Sequence, residues 1–297
     1  MEEQKIQQPA DVSENSPKPG KKKRRFRNLL IFLLVVAAIC WFGNYSITYP
    51  KYKVYSDKIA EPFTIAVLSD YHASGYSIGI DRIVSGIDRK NPDIVCILGD
   101  MYSLGSDEDI KAKAVDLAAD IVGNGYPVYF VPGEHDHDSI YLGQLRDSGV
   151  HVMDYNEEYT VINGNNVRIL GIDNAYYSST FDLANAFERD ESCFNILLAH
   201  IPNYDKFSKF GTDITLCGDT HGGIIQLPFG RGPAYDADSG EWFPELFGSR
   251  SDIYDKGLFP YTGGTMFVTS GLGAYPFPAR FNNLPEIAII TVNPSQG

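Results

Sequence analysis

The pattern of apolar and polar positions separates one long apolar run from a body in which short apolar runs alternate with helical periods. Residues 29–43 are apolar without interruption, and no charged side chain follows them before Lys51. As a helix, the uncharged stretch Asn28–Pro50 would be about 34 Å long, which is enough to cross a bilayer. The pattern therefore predicts a transmembrane anchor at residues 29–50.

The first half of the body predicts alternating strands and helices. Residues 63–69, 94–98 and 127–131 are apolar runs of the kind that form buried strands. Between them, apolar residues recur at the spacing of one helix face, at positions 80–87 and again at 110–121. Because consecutive strand–helix–strand units place their strands side by side, this order predicts a parallel βαβαβ arrangement with right-handed crossovers.

The second half of the body predicts a hairpin, a helix and four more strands. In chain order they fall at residues 163–166, 180–189, 194–199, 213–217, 265–269 and 286–292. No linker rich in Ser or Pro divides residues 61–297, so this segment is predicted to be one α/β domain. Residues 51–60 are predicted to be a linker, and residues 1–28 a disordered, basic cytoplasmic tail.

The net charge of −13, from 25 basic and 38 acidic residues, is unevenly distributed. Residues 1–28 carry eight basic and four acidic side chains, whereas residues 51–297 carry 17 and 34, a net charge of −17. Basic segments beside a membrane helix stay in the cytoplasm, so we expect a single-pass protein of the cell membrane with an extracytoplasmic body. The acidic body disfavours nucleic acid as a partner. A cleaved signal peptide is the alternative to an anchor.

Polar clusters follow five of the predicted strands. They are Asp70-Tyr-His72, Gly99-Asp100, Gly133-Glu-His-Asp136, His200 and Gly218-Asp-Thr-His221. The carboxyl ends of parallel strands meet at one edge of a sheet, and His and Asp are ligands of divalent metals. A single His or Asp after a strand is usually a turn former, but four of the six histidines occupy these positions. Asp70 and His72, as alternate residues of an extended segment, are predicted to chelate one ion.

In this order the clusters resemble those of the calcineurin-like metallophosphoesterases, whose pattern runs D-x-H, G-D, G-N-H-[DE], H and G-H-x-H. The chain looks most like their bacterial membrane-anchored, UDP-2,3-diacylglucosamine hydrolase-like branch. The resemblance extends over residues 65–292 and takes in Ser270–Gly273 and Arg280–Glu286. It implies a four-layer α/β/β/α sandwich, preceded here by one N-terminal transmembrane helix.

The resemblance also implies a site for two divalent ions. One ion would be held by Asp70, His72 and His221. Asp100 would bridge this ion to a second one, which would also bind His200. These positions all match the family's pattern.

Two further ligand positions depart from that pattern. Glu134 stands where the family has Asn, and Asp219 stands where it has the first His of G-H-x-H. The family's Gln after the paired glycines is replaced by Ile224. The catalytic residues implied by the resemblance are His135, which would contact the phosphate or protonate the leaving group, and Asp136, which would orient it.

The two departures change the charge of the implied centre. Four ligand carboxylates balance two divalent ions, so the centre becomes formally neutral instead of cationic. We expect weaker phosphate capture and an oxygen-rich second site, which favours harder ions. Mn²⁺ is the first choice, with Mg²⁺, Fe, Zn²⁺ or Ca²⁺ as alternatives.

The resemblance implies hydrolysis of a phosphate ester or pyrophosphate by metal-activated hydroxide, with a phosphorylated small molecule or lipid-linked substrate. The alternative is a weakened or inactive member that binds metal or a phosphorylated ligand at the membrane. Two features stay open. The aromatic-rich stretch Leu227–Pro260 either covers an acyl chain or packs on the sheet. Arg280 either contacts phosphate or forms a surface salt bridge.

Overall fold

The computed structural model describes residues 21–173, 181–229, 232–236, 240–244, 253–275 and 279–295. The chain divides into two compact units, residues 1–39 and residues 40–297. All of the first unit's described residues belong to helix α1 (Lys21–Tyr45). By length and composition alone, residues 22–45 are sufficient to cross a membrane. The helix begins inside the predicted tail and ends five residues before Pro50, because Thr48 already pairs with Glu286 of the body.

The second unit contains the rest of the regular structure. Its helices are α2 (Ile80–Lys90), α3 (Glu108–Gly123), α4 (Ser139–Asp147) and α5 (Tyr204–Phe210). Its strands are β1 (Lys51–Ser56), β2 (Phe63–Leu68), β3 (Ile94–Ile97), β4 (Val128–Phe130), β5 (His151–Val152), β6 (Asn156–Ile162), β7 (Asn165–Gly171), β8 (Phe194–Leu198), β9 (Ile214–Cys217), β10 (Tyr235–Asp236), β11 (Glu241–Trp242), β12 (Gly257–Tyr261), β13 (Gly264–Val268) and β14 (Ala288–Pro294).

The strands form two six-stranded sheets and the small antiparallel pair β10–β11. The order of the first sheet is β1-β14-β2-β3-β4-β5, in which β2, β3 and β4 run parallel as the βαβαβ pattern predicts and the unpredicted β5 continues the parallel order. The order of the second sheet is β12-β13-β9-β8-β7-β6, with β13, β9, β8 and β7 parallel. The predicted hairpin joins β6 to β7.

Three apolar cores lie between the layers of this unit. In the first, side chains of α2, α3 and α4 pack on one face of the first sheet. The second fills the space between the two sheets, and the third joins α5 to the outer face of the second sheet. This order of layers confirms the predicted α/β/β/α sandwich.

Two local predictions were wrong, and two helices were not predicted. Residues 51–56, assigned to a linker, form the edge strand β1, which pairs in parallel with β14. Within the described part of the predicted helix at 180–189, only a 3₁₀ turn at Leu183–Asn185 forms, capped by the side chain of Asp182. Helices α4 and α5 are short and were missed because each buries only two side chains.

Candidate metal centre

The seven predicted metal ligands lie after strands of both sheets, at the edge where the carboxyl ends of those strands meet. Asp70 and His72 follow β2, Asp100 follows β3, Glu134 follows β4, His200 follows β8, and Asp219 and His221 follow β9. The parallel order of β2, β3 and β4 in one sheet, and of β8 and β9 in the other, brings these segments together.

Five of these residues have left-handed backbone conformations. The φ angles are 53° for Asp70, 41° for His72, 52° for Asp100, 68° for Asp219 and 50° for His221. Such conformations are uncommon for residues other than Gly and concentrate at functional sites. The prediction of an extended segment at residues 70–72 was therefore wrong. The side chains converge because the backbone turns sharply after each strand.

Glycine in the cluster after β4 leaves room for the Asp100 carboxylate. A Cβ atom added to Gly133 would lie 2.2 Å from Oδ1 of Asp100. The same Oδ1 accepts the backbone N–H of His135 at 3.0 Å. A side chain at position 133 would therefore displace this carboxylate from the centre of the site.

The first group of ligand atoms comes from Asp70, His72 and His221, and all three residues are buried. Nε2 of His72 lies 3.2 Å from Nε2 of His221, which lies 3.8 Å from Oδ1 of Asp70. Nδ1 of His72 lies 3.0 Å from the hydroxyl oxygen of Ser103, which can accept its proton and leave Nε2 free for a metal. Ser103 is a contributor that the sequence patterns did not indicate.

A second group is formed by Asp70, Asp100 and His200. Nε2 of His200 lies 3.3 Å from Oδ2 of Asp100 and 3.6 Å from Oδ1 of Asp219. Nδ1 of His200 lies 2.6 Å from the carbonyl oxygen of Leu98, which orients the ring with Nε2 toward the carboxylates. Asp70 is shared by the first and second groups, whereas the resemblance gave the bridging position to Asp100.

A third group consists of Asp100, Glu134 and His135. Nε2 of His135 lies 3.6 Å from Oδ2 of Asp100 and 3.9 Å from Oε1 of Glu134. Nδ1 of His135 accepts the backbone N–H of Leu104 at 3.0 Å. The Glu134 side chain is largely exposed, with 59% of its surface accessible, whereas Asp100 is buried. Glu134 therefore lies at the solvent side of the site.

The donor set fits divalent cations. Among the described residues, Oδ2 of Asp70 and Nε2 of His200 are buried atoms without a hydrogen-bond partner. Burial raises the pKa of Asp70 to about 7, and the charges of Asp100 and Asp219 add to the rise. Burial lowers the pKa of His72 to about 4, which favours the neutral imidazole that a metal requires. A cation among these groups would bind the unpaired atoms and offset the crowding of like charges.

Asp136 does not contact the ring of His135, although the resemblance implies that it orients this residue. The carboxylate of Asp136 is fully buried and accepts backbone N–H groups from Asp100 at 2.5 Å, Gly133 at 3.0 Å and Met101 at 3.2 Å. No hydrogen bond to the His135 ring is found among the described residues. The short side chain of Asp136 is used to connect the loops after β3 and β4, so it positions Asp100 instead.

The sequence left two interpretations of Arg280 open, contact with phosphate and a surface salt bridge, and both were wrong. The residue is 1% exposed, and its guanidinium donates to the carbonyl oxygens of Gly273 at 2.8 Å and Ser270 at 2.6 Å. A weaker contact of 3.4 Å reaches the carbonyl oxygen of His221. Arg280 therefore supports the backbone beneath a predicted ligand.

A cavity of about 450 Å³ opens directly above the candidate ligands. The polar part of its lining includes His72, Asp100 and His135. The apolar part, which we call the apolar wall, includes Ile224 and Trp242. The remaining apolar or aromatic lining residues are Ile225, Pro233, Ala234, Tyr235, Tyr254 and Tyr275.

Tyr275 and Ile224 shape this cavity in ways that the sequence did not reveal. The ring of Tyr275 stacks on His72 with centroids 4.6 Å apart and meets His135 edge-on at 5.4 Å. Ile224 has a φ of 52°, a strained conformation for a β-branched residue. In this conformation Ile224 lines the same cavity as the candidate ligands.

Comparison with known proteins identifies relatives over most of the chain. The profile of the family described as calcineurin-like phosphoesterase matches residues 63–223. Metallophosphoesterase YkuE of Bacillus subtilis (strain 168) is 27% identical over 77% of this chain and 79% of its own length. Phosphodiesterase YaeI of Escherichia coli (strain K12) is 25% identical over 78% and 82%, respectively. A transmembrane protein with metallophosphoesterase domain from Danio rerio is 24% identical over 90% of this chain and 63% of its own length.

Proposed function

Because this chain belongs to the calcineurin-like phosphoesterase family and is a metal-dependent phosphoesterase, we propose that it hydrolyses phosphoesters or pyrophosphates carrying a large apolar group. The observation that carries this proposal is the cavity of about 450 Å³, whose lining combines candidate metal ligands with an apolar wall. Pockets of this size hold a small ligand and orient it through a few polar groups. A phosphoryl group would lie at the ligands and an acyl or prenyl chain at the wall.

The proposed centre holds two divalent ions, with Mn²⁺ as the first choice. Divalent ions at such a centre supply Lewis-acid polarisation of the phosphoryl group and activation of a water molecule. Asp70, His72 and His221 would hold one ion. Asp100, His200 and Asp219 would hold the other, and Asp70 offers ligand atoms to both groups.

The remaining polar residues of the cavity would act on the substrate. Nε2 of His135 lies beside Asp100 and faces the cavity, where it can donate a proton to a leaving oxygen. The exposed side chain of Glu134 would either repel anions or complete the second metal site. Asp136 and Ser103 position Asp100 and His72 and would not touch the substrate.

A matched pair of phosphodiesters tests the proposed substrate class. Methyl and decyl p-nitrophenyl phosphate share a leaving group and differ only in the alkyl chain. Burial of about four methylene groups at roughly 0.8 kcal/mol each favours the decyl ester by about 3 kcal/mol, so we expect its kcat/KM to be roughly 100-fold higher. The measurement is p-nitrophenol release by the full-length protein with Mn²⁺, below the concentration at which the decyl ester forms micelles.

Two variants serve as controls for this comparison. Trp242→Ser removes part of the apolar wall, so the ratio of the two kcat/KM values should fall. Val161→Ser, at an exposed position on β6, should leave the ratio unchanged. Equal rates for the two esters in the unmodified protein would refute an apolar substrate while leaving phosphoesterase activity intact.

Restoring the family's residues at the two departing positions tests the charge of the centre. The double variant Glu134→Asn with Asp219→His removes two negative charges near the bound phosphate. We expect the inhibition constant of inorganic phosphate to fall roughly tenfold in this variant, because fewer negative charges repel the anion. The fall is no larger because solvent screens part of the interaction. The inhibition constant for phosphate and the metal content by elemental analysis are the two readouts. Unchanged phosphate inhibition would show that neither carboxylate contributes to the field at the site.

The proposed location is the cell membrane, with the N-terminus in the cytoplasm and the body outside. The support is the length and apolarity of α1 together with the basic residues at its start. A substrate with an apolar chain agrees with this location, because such substrates lie in or beside a bilayer. A reporter fused to the C-terminus determines on which side the body lies.

A further inference from the structure

A layer of extended segments contributes to the lining of the cavity. We call it the aromatic flap and define it as residues 224–229, 232–236 and 241–243. Ile225 pairs with Phe281, Gln226 pairs with Pro233, and the backbone N–H of Phe243 bonds to the carbonyl of Ala234 at 3.0 Å. The flap is therefore a small sheet that begins beside Phe281 and carries the apolar wall of the cavity.

The flap and the neighbouring Phe281 expose large aromatic side chains, and two of these, Tyr235 and Trp242, also line the cavity. Phe229 is 96% exposed and Trp242 is 67% exposed. Tyr235 and Phe281 are exposed by 41% and 44%. In contrast, Tyr254 of the same aromatic-rich stretch packs against the core on the outer face of the second sheet. Clustered exposed aromatics of this kind mark interaction surfaces, because leaving them in water is unfavourable.

The end of helix α1 contacts the residue next to Phe281. Oδ1 of Asn44 accepts the backbone N–H of Arg280 at 2.8 Å. A Cβ atom added to Gly43 would lie 2.3 Å from the carbonyl oxygen of Arg280, so this close approach requires glycine. The last residue of α1 makes a further contact, because the Tyr45 hydroxyl donates to the carbonyl oxygen of Tyr76 at 2.7 Å. The end of the candidate membrane helix is thus fixed to the body beside the flap.

We propose that the exposed aromatic side chains of the flap lie on the surface of the bilayer that holds α1. The proposal rests on the membrane anchor of the proposed function. Residues 43–44 end the apolar helix and contact Arg280, whose neighbour Phe281 pairs with the flap, so the flap lies beside the residues that follow the membrane-spanning segment. Trp and Tyr side chains favour the interfacial region of a membrane.

Apolar insertion, rather than charge, would hold this surface on the membrane. The body after residue 50 has a net charge of −17, which opposes attraction to anionic lipids. Phe and Trp side chains instead bury apolar area at the boundary between headgroups and acyl chains. In this position the cavity, which Tyr235 and Trp242 also line, would be within reach of a lipid that remains in the bilayer.

The two tryptophans of the chain permit a direct test in the full-length protein. In the variant Trp41→Phe, Trp242 is the single fluorescent tryptophan. The protein is reconstituted into phosphatidylcholine vesicles with and without brominated acyl chains, because bromine quenches tryptophan only on contact. We expect Trp242 emission to fall by roughly half in brominated vesicles, with stronger quenching by bromine near the headgroups than deep in the chains.

Matched variants separate failure of this proposal from failure of the anchor. In Trp242→Phe, quenching of Trp41 reports insertion of α1 itself. A triple variant with Trp41→Phe, Trp242→Phe and Val161→Trp places the reporter on β6 and should show no quenching. Quenched Trp41 with unquenched Trp242 would overturn the proposal while preserving the anchor. A blue-shifted but unquenched Trp242 would also overturn it and would indicate that a second copy of the chain covers the flap.

Discussion

Asp100→Asn should lower kcat/KM for bis-p-nitrophenyl phosphate by roughly 100- to 1000-fold in the presence of Mn²⁺. Oδ2 of Asp100 lies 3.3 Å from Nε2 of His200, 3.6 Å from that of His135 and 4.0 Å from that of His72. No other candidate ligand is as close to all three histidines among the described residues. The substitution removes one charge but keeps the shape and one oxygen of the side chain.

The expected effect is large because the Asp100 carboxylate lies close to several candidate ligands at once. Neighbouring histidines and the backbone N–H of His135 hold the pKa of Asp100 well below its usual range, despite the burial that opposes ionisation. It is therefore a permanent negative charge at the centre of the donor set. Without it, the remaining ligands would bind the second ion more weakly, and the field at the phosphoryl group would change.

Metal content and fold must be measured beside the rate. We expect elemental analysis to show fewer divalent ions per chain in Asp100→Asn, with a near-ultraviolet circular dichroism spectrum like that of the parent. Asp116→Asn, an exposed position on α3, controls for the loss of one acidic charge elsewhere and should keep full activity. A rate and metal content equal to the parent's would rule out Asp100 as a ligand.

Arg280→Met should lower the free energy of unfolding by about 3–5 kcal/mol. The substitution keeps much of the apolar volume of the side chain but leaves the carbonyl oxygens of Gly273 and Ser270 without their buried donor. Each unsatisfied buried acceptor costs about 1–3 kcal/mol. Burial lowers the pKa of Arg280 to about 10, so the guanidinium remains charged at neutral pH and its donors are present.

Urea unfolding of the full-length protein in detergent measures this change. Arg280→Lys retains the charge but not the planar arrangement of donors, so we expect an intermediate loss. Arg146→Met, at an exposed position on α4, should change the stability by less than about 0.5 kcal/mol. Equal stabilities for the three variants would mean that the bonds of Arg280 do not support the loop after β13.

Much of the fold was predictable because it depends on local periodicity. The apolar runs at 63–69 and 94–98 and the helical spacing between Ile80 and Ile87 each identify one element, and their alternation imposes parallel strands. Edge strand β1 escaped prediction because only Val54 and Ser56 of its residues are buried. Its partner β14 lies more than 230 residues away in sequence, so no local pattern indicates the pairing.

The sequence by itself determined which residue types follow which strands, and therefore that Asp70, His72, Asp100, His200 and His221 share one edge. It also determined the two extra carboxylates, Glu134 and Asp219. Only the tertiary structure decided that Asp136 binds backbone N–H groups and that Arg280 is a buried support. It also decided that an aromatic flap joins the cavity to the end of α1. Those contacts join residues far apart in the chain, and their geometry is set by packing rather than by any period in the sequence.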